Sequence, residues 1–297
     1  MGVWSCSELG RPSLPSEEAE IQPSRHLPPL PTTGRMVLAE LSREEVEIER
    51  LAQVIEQDPG LTARIIGMAN SAFYGCSDRI FTVADAIVKV LGLNLVRSLA
   101  FSIVMSGPLS TRDCPGFRLD EYWYLAMVTA NLARRLSHDA PEAEPGLEDN
   151  AHLCGLLHNF GLLVMVHCFP EQMAPLCAEP QLADAVLMAP QEEQRVGLTR
   201  ADVGAILGHR WHIPEAAVAV MEHHADPAYR GRYWQPVVLV GLAARLASRD
   251  FHRQERDLEP DVLAALGLPE DAVAAACEAL TSQEEQIRSA ARVLSPD

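Results

Sequence analysis

Cys154-Gly155-Leu156-Leu157-His158-Asn159-Phe160-Gly161-Leu162-Leu163-Val164-Met165-Val166-His167-Cys168-Phe169 is the most apolar run of the chain. A bilayer crossing takes about 20 apolar residues as helix, so this run is too short to span one. It also carries His158, Asn159 and His167 in its interior. Read from Ala151 to Cys168, the stretch predicts one apolar helix buried in a packed core.

On both sides of it the hydrophobic period is helical. Ile48, Leu51 and Ile55 repeat at i, i+3 and i+7. Asp58-Pro59 predicts an N-cap with Pro at N1. The helix that follows carries Leu61, Ile65 and Met68 and is expected to end near Phe73-Tyr74-Gly75. Thr82-x-x-Asp85 and Thr199-x-x-Asp202 read as capping boxes. Gly92 closes one helix, and Leu95, Leu99 and Ile103 line the next. Breaks at Gly107-Pro108 and Cys114-Pro115-Gly116 mark a boundary. Beyond it, helices are expected over Asp120–His138, from Thr199 to Arg210, from Pro214 to His224, from Pro236 to Arg249, over Asp261–Leu266 and over Glu270–Leu294. Pro170–Gly197 suggests short helices. No stretch reads convincingly as a strand, so the fold class is all-α.

Composition fits. Hydrophobic residues make up 48% and aromatics only 5%, which suits Leu- and Ala-rich helices better than sheets. Residues 1–26 are rich in Pro, Ser and Glu without periodicity and read as a flexible tail. With 24 Lys and Arg against 41 Asp and Glu, the formal charge is −17. Such a field repels phosphate backbones, which argues against nucleic acid as a partner while leaving a local basic patch open. The seven cysteines form no CxxC pair, so neither a disulfide framework nor a zinc ribbon is indicated. With no signal-peptide pattern and no bilayer-spanning run, a cytoplasmic protein without membrane contact is expected.

Gly155-Leu-Leu-His-Asn-Phe-Gly161 resembles the GLLHDIG helix of the HD superfamily of metal phosphohydrolases. Over about residues 27–249 the chain resembles the HDOD family, the HD-related output domain. Leu27-Pro-Pro-Leu-Pro31, Ile55 through Arg64, Ala69-Asn-Ser-Ala-Phe-Tyr-Gly75, Val203-Gly-Ala through Trp211 and His223-His224-Ala-Asp-Pro227 carry that resemblance in order. It implies an N-terminal helical subdomain over 27–116 and an HD-like helical bundle with C-terminal helices over 117–297.

HD enzymes hold metal with a His, a His-Asp pair and a distal Asp. Aligned on Trp123, the first position falls at Leu125, and the distal position at Ala244. The pair reads His158-Asn159. Of the four ligands only His158 remains, and one imidazole cannot hold a catalytic metal. The resemblance therefore implies a degenerate centre with no metal, no cofactor and no catalytic residue.

Single residues leave alternatives open. His158 reads as a core histidine or a residual ligand-binding group. Cys154 shares its helix face at i, i+4 and reads as a small core thiol. His223 and His224 point about 100° apart on a helix and suit a C-terminus, although some catalytic HD relatives use a His-His pair. Asn70 and Ser71 suit a turn or a groove face. A ligand or partner groove between the N-terminal helices and the bundle would draw on Asn70, Ser71, Trp123, His158, His223 and His224. The resemblance implies a stand-alone, non-enzymatic bacterial signalling module acting as adaptor or ligand sensor. Its partner would be a protein or a small signalling ligand, as in cyclic-dinucleotide pathways. The alternative is a metal-dependent phosphohydrolase or cyclic-nucleotide phosphodiesterase. Oligomeric state stays open.

Overall fold

The computed structural model describes residues 29–41, 47–75, 78–140, 146–248 and 259–295. The expected tail over 1–26 lies outside them, as do Leu27 and Pro28 of the lead-in. Among the described residues there are only helices, turns and loops.

The N-terminal helices are α1 (Thr32–Leu41), α2 (Ile48–Glu56), α3 (Pro59–Ala69), the one-turn α4 (Val83–Asp85) and α5 (Leu93–Ser106). Asp58 caps α3 by accepting the Leu61 N–H at 3.0 Å, and Pro59 follows at N1 as expected. The helix ends at Ala69, short of Phe73-Tyr74-Gly75. The cause is Asn70, whose side-chain amide donates to the Ile66 and Ile80 carbonyls, both at 2.9 Å, and accepts the Ile80 N–H at 2.8 Å. Thr82 Oγ1 accepts the Asp85 N–H at 3.0 Å and starts α4. Ala86–Leu91 then wind as a π-helix, which periodicity does not reveal. Gly92 ends it at φ +78°, where a side chain would be strained.

The bundle comprises α6 (Leu119–Asp139), α7 (Leu147–Leu157), α8 (Phe160–Cys168), α9 (Pro170–Cys177), α10 (Ala185–Val196), α11 (Arg200–Arg210), α12 (Glu215–His223), α13 (Trp234–Ser248), α14 (Pro260–Leu266), α15 (Glu270–Thr281) and α16 (Glu284–Leu294). The long α6 is the axis, against which α7, α13, α15 and α16 all pack. Contact between α5 and α7 joins the N-terminal helices to the bundle, and α16 touches both α3 and α6. Arg288 on α16 reinforces this closure. Its Nη1 donates to both Glu121 oxygens at 2.9 and 3.0 Å, and its guanidinium lies over the Tyr124 ring.

Three sequence expectations need correction. The apolar stretch is two helices, α7 and α8, with a turn at His158-Asn159 where Asn159 leaves helical backbone at φ −107°, ψ 23°. Asn150–Cys168 is long and apolar enough for a membrane by composition, yet this turn interrupts it and 89% of it is buried. The C-terminal helix is also two, broken at Ser282-Gln283. The helix expected from Pro214 starts at Glu215 with Pro214 as its N-cap, and the one expected from Pro236 starts two residues earlier, at Trp234. The Thr199–Asp202 box forms both of its reciprocal bonds.

Two glycines of the quoted run set the helix spacing. A Cβ on Gly155 would meet the Ala130 backbone of α6, its nitrogen at 2.9 Å. A Cβ on Gly161 would strike the Arg200 carbonyl, because Gly161 and Gly204 face each other where α8 crosses α11. These backbones have no room to give, since interiors are close-packed. Gly161→Ala should therefore lower stability by about 3 kcal/mol. Gly107→Ala, whose Cβ would have neighbours only at 3.5 Å and beyond, should stabilise by about 0.5 kcal/mol. Urea denaturation midpoints of the two variants check the contrast.

Candidate functional site

The turn between α7 and α8 carries the pair that an HD enzyme would use. His158 is buried, and its Nδ1 lies 2.7 Å from the Gly155 carbonyl oxygen. Its ring meets that of His224 edge to face, with centroids 5.1 Å apart. His224 is also buried at the end of α12, its Nδ1 2.9 Å from the Val220 carbonyl oxygen. Burial pushes His158 down to about 4, against the pull of the Gly155 carbonyl; the Arg200 charge adds to the lowering. Burial, then the neighbouring His158, push His224 down to about 3. Both rings are neutral near pH 7.

Asn159 faces a different partner. Its Oδ1 accepts from Arg200 Nη1 at 3.2 Å. The same Nη1 donates to the Leu182 carbonyl at 2.8 Å. Arg200 Nε donates to Glu192 Oε1 at 2.6 Å, and Nη2 lies 2.5 Å from that oxygen. The Arg200 backbone N–H donates to Glu192 Oε2 at 2.9 Å. The Arg200 and Glu192 side chains are 2% and 0% exposed. A buried ion pair holds only where further hydrogen bonds offset its burial; here a backbone amide, a carbonyl and Asn159 supply them, while Arg200 Nη2 makes the ionic contact alone.

This donor set does not fit a divalent metal. The Asn159 oxygen is neutral and already faces a buried cation, so a dication reaching for it would meet repulsion in a poorly screened interior. The described residues contain no cluster of three His, Cys, Asp or Glu that could hold a metal ion. Leu125 is half-buried against the core, and Ala244 is half-buried on α13. Neither side chain has a donor atom. One turn before Ala244, Gly241 lets α13 close on the His224 carbonyl.

The residues expected to share a groove lie in four places. His158 and His224 meet in the buried centre. His223 is partly exposed instead, stacked on the Tyr229 ring at 4.4 Å. Asn70 latches the Ile80 backbone, and Ser71 Oγ donates to the Met68 carbonyl at 2.7 Å, so both side chains serve the turn after α3. Trp123 lines a cavity of about 900 Å³ between the N-terminal helices and the bundle. Cys154 is a buried thiol, which burial pushes up to about 12.

Sequence reading missed Arg200 and Glu192. One signal was present: Arg200 occupies the first position of α11, where the helix dipole disfavours a cation. A cation there needs a specific partner, although nothing local says that the partner is Glu192.

Removing Arg200 alone leaves the Glu192 carboxylate buried and unpaired. Arg200→Met should cost about 3–5 kcal/mol, and Arg200→Met with Glu192→Leu should recover most of it. Urea unfolding of the two variants measures this.

A pH dependence follows from the buried imidazoles. His152, whose ring nitrogens find no partner among the described residues, is pushed down to about 3, chiefly by burial and then by the Arg134 charge. Above pH 6.5 neither the folded nor the unfolded state binds protons at these groups. Below it only the unfolded state does, so His152, His158 and His224 should each remove about 1.4 kcal/mol per pH unit. The loss should run from pH 6.5 down towards 4 to 3. Thermal midpoints across that range check it, and His152→Leu should flatten the slope.

A profile of the HDOD domain matches residues 27–227. The chain is 25% identical over 226 residues to an uncharacterised Treponema pallidum protein, spanning 75% of this chain but only 42% of that relative. A Marinobacter aquaeolei protein named provisionally for signal transduction superposes with a TM-score of 0.78 at 28% identity, covering 91% of this chain and 60% of that one. A Shewanella amazonensis protein named provisionally as a phosphohydrolase superposes at 0.72 with 23% identity, covering 92% and 97% of the two chains. The chain thus spans less than two thirds of the first two relatives' lengths. The matched segment takes in α1 through α12 and the turn at His158-Asn159, and the chain belongs to the HDOD family.

Proposed function

We propose that this chain is a non-enzymatic regulatory module of bacterial signal transduction, a degenerate HD scaffold that works by binding a ligand or a protein partner in the cytoplasm. One observation carries the reading: Asn159 replaces a metal-binding carboxylate and accepts from Arg200, which Glu192 holds in place. A guanidinium supplies positive charge but cannot activate a water as a divalent metal does. With His158 and His224 buried, neutral and edge to face, the centre is a packed polar core. The Marinobacter protein's name agrees with a signalling role.

The rival reading, a metal-dependent phosphohydrolase or cyclic-nucleotide phosphodiesterase, draws on the Shewanella protein's name. Fold alone does not carry an activity across. The separating experiment supplies purified protein with Mn²⁺, Fe²⁺ or Ni²⁺. Metal is then assayed after desalting, and turnover of bis(p-nitrophenyl) phosphate and of cyclic dinucleotides is followed. Metal far below one equivalent and no turnover above background are expected. Stoichiometric metal with turnover abolished by His158→Ala would overturn the proposal.

A further inference from the structure

The cavity beside Trp123 differs in charge from the rest of the molecule. Its walls come from α3, the loop between α5 and α6, the start of α6, α8 and the end of α16. Four arginines line it: Arg64, Arg112, Arg118 and Arg292. The lining has one carboxylate, Asp120, which Arg118 holds at 3.0 Å. The cavity is therefore net positive in a chain of net charge −17.

Pairing sharpens the contrast. Acidic residues outnumber basic ones, 41 to 24, and arginines elsewhere find them readily. Arg50 meets Glu40, Arg200 meets Glu192, Arg232 meets Glu215, Arg245 meets Glu259 and Arg288 meets Glu121. Arg64, Arg112 and Arg292 make no ion pair and no side-chain hydrogen bond among the described residues. Arg64 is half-buried, and the Asp58 charge acts on it without forming an ion pair. Arg112 and Arg292 are exposed. Three like charges bordering one space, none of them in an ion pair, repel one another, and a bound anion would relieve that repulsion.

The rest of the lining fits a small organic anion. Ser106, Ser110 and Thr111 add hydroxyl groups, while Phe117, Leu119 and Leu163 supply an apolar wall. His167 Nδ1 fixes the loop by accepting the Ser110 N–H at 3.1 Å. A volume of about 900 Å³ falls within the range of small-molecule sites. Guanidinium forks match phosphate oxygens in geometry as well as charge.

We propose that this cavity binds a phosphate-bearing small molecule of nucleotide size, its phosphates on Arg64, Arg112 and Arg292 and its ring on the Phe117 side. The proposal rests on the reading that the chain acts by binding, and it names the ligand class. Because α3, α6 and α16 all contribute, such a ligand would clamp the N-terminal helices to the bundle.

Isothermal titration of the full chain with ATP, GTP, cyclic diguanylate, inorganic phosphate and an oligoglutamate peptide tests it. At least one nucleotide should bind one to one with a Kd below about 100 µM, weakening as salt rises. Arg64→Gln with Arg292→Gln should weaken it at least about tenfold, and so should the loop variant Arg112→Gln, whose exposed site poses little risk to folding. Arg232→Gln, remote from the cavity, should leave it unchanged. No nucleotide binding up to millimolar concentration, binding that survives the cavity variants, or preference for oligoglutamate would each overturn the proposal. Chromatography of the same samples separates the two readings. Hydrolysis of the bound nucleotide would sink the non-enzymatic reading alone, whereas absent binding sinks this site alone.

Discussion

The buried pair of Arg200 and Glu192 is the interaction on which the centre of this molecule depends. Two ions without water hold only where further hydrogen bonds offset the cost of burying them. Satisfying them recruits the Leu182 carbonyl, the Arg200 backbone amide and the Asn159 side chain. With Glu192 itself, those groups come from four stretches of chain, so a single ion pair fixes the α9–α10 loop, α10, the start of α11 and the turn between α7 and α8. The glycine crossing of Gly161 and Gly204 makes it geometrically feasible, because only bare backbones let α8 and α11 approach closely enough to bring Arg200 to the turn.

The same interaction explains why the chain breaks where it does. A continuous apolar helix would carry Asn159 on the helical path. Instead Asn159 leaves the helical region and its oxygen meets Arg200, while His158 caps α7 and turns its ring to His224. At this centre a carboxamide, a guanidinium and two buried imidazoles pack together. The proposed binding site lies further out, in the cavity that α16 helps close and that Arg64, Arg112 and Arg292 border.

Much of the fold was legible because its signals are local. Asp58-Pro59, Thr82-x-x-Asp85 and Thr199-x-x-Asp202 start helices through hydrogen bonds spanning three residues. Where the reading failed, a distant group intervened. Asn70 ends α3 early by bonding Ile80, and the turn at Asn159 answers to a residue 41 positions away. Of the candidate site, the adjacent His158-Asn159 pair is plain in the sequence. The pairing of His158 with His224 rather than His223 was not, because adjacent residues differ only in which face the tertiary contacts cover.

An all-helical HDOD scaffold, the helix caps at Asp58, Thr82 and Thr199 and the His158-Asn159 pair are written in the order of residues alone. Only the tertiary structure decided that a guanidinium stands against that pair, and that Arg64, Arg112 and Arg292, far apart in the chain, border one cavity. The reason is range. Caps and periodicity are written within a few residues, whereas the meeting of charges follows from how closely backbones can approach, and Gly155, Gly161 and Gly204 set that spacing only once the helices have packed.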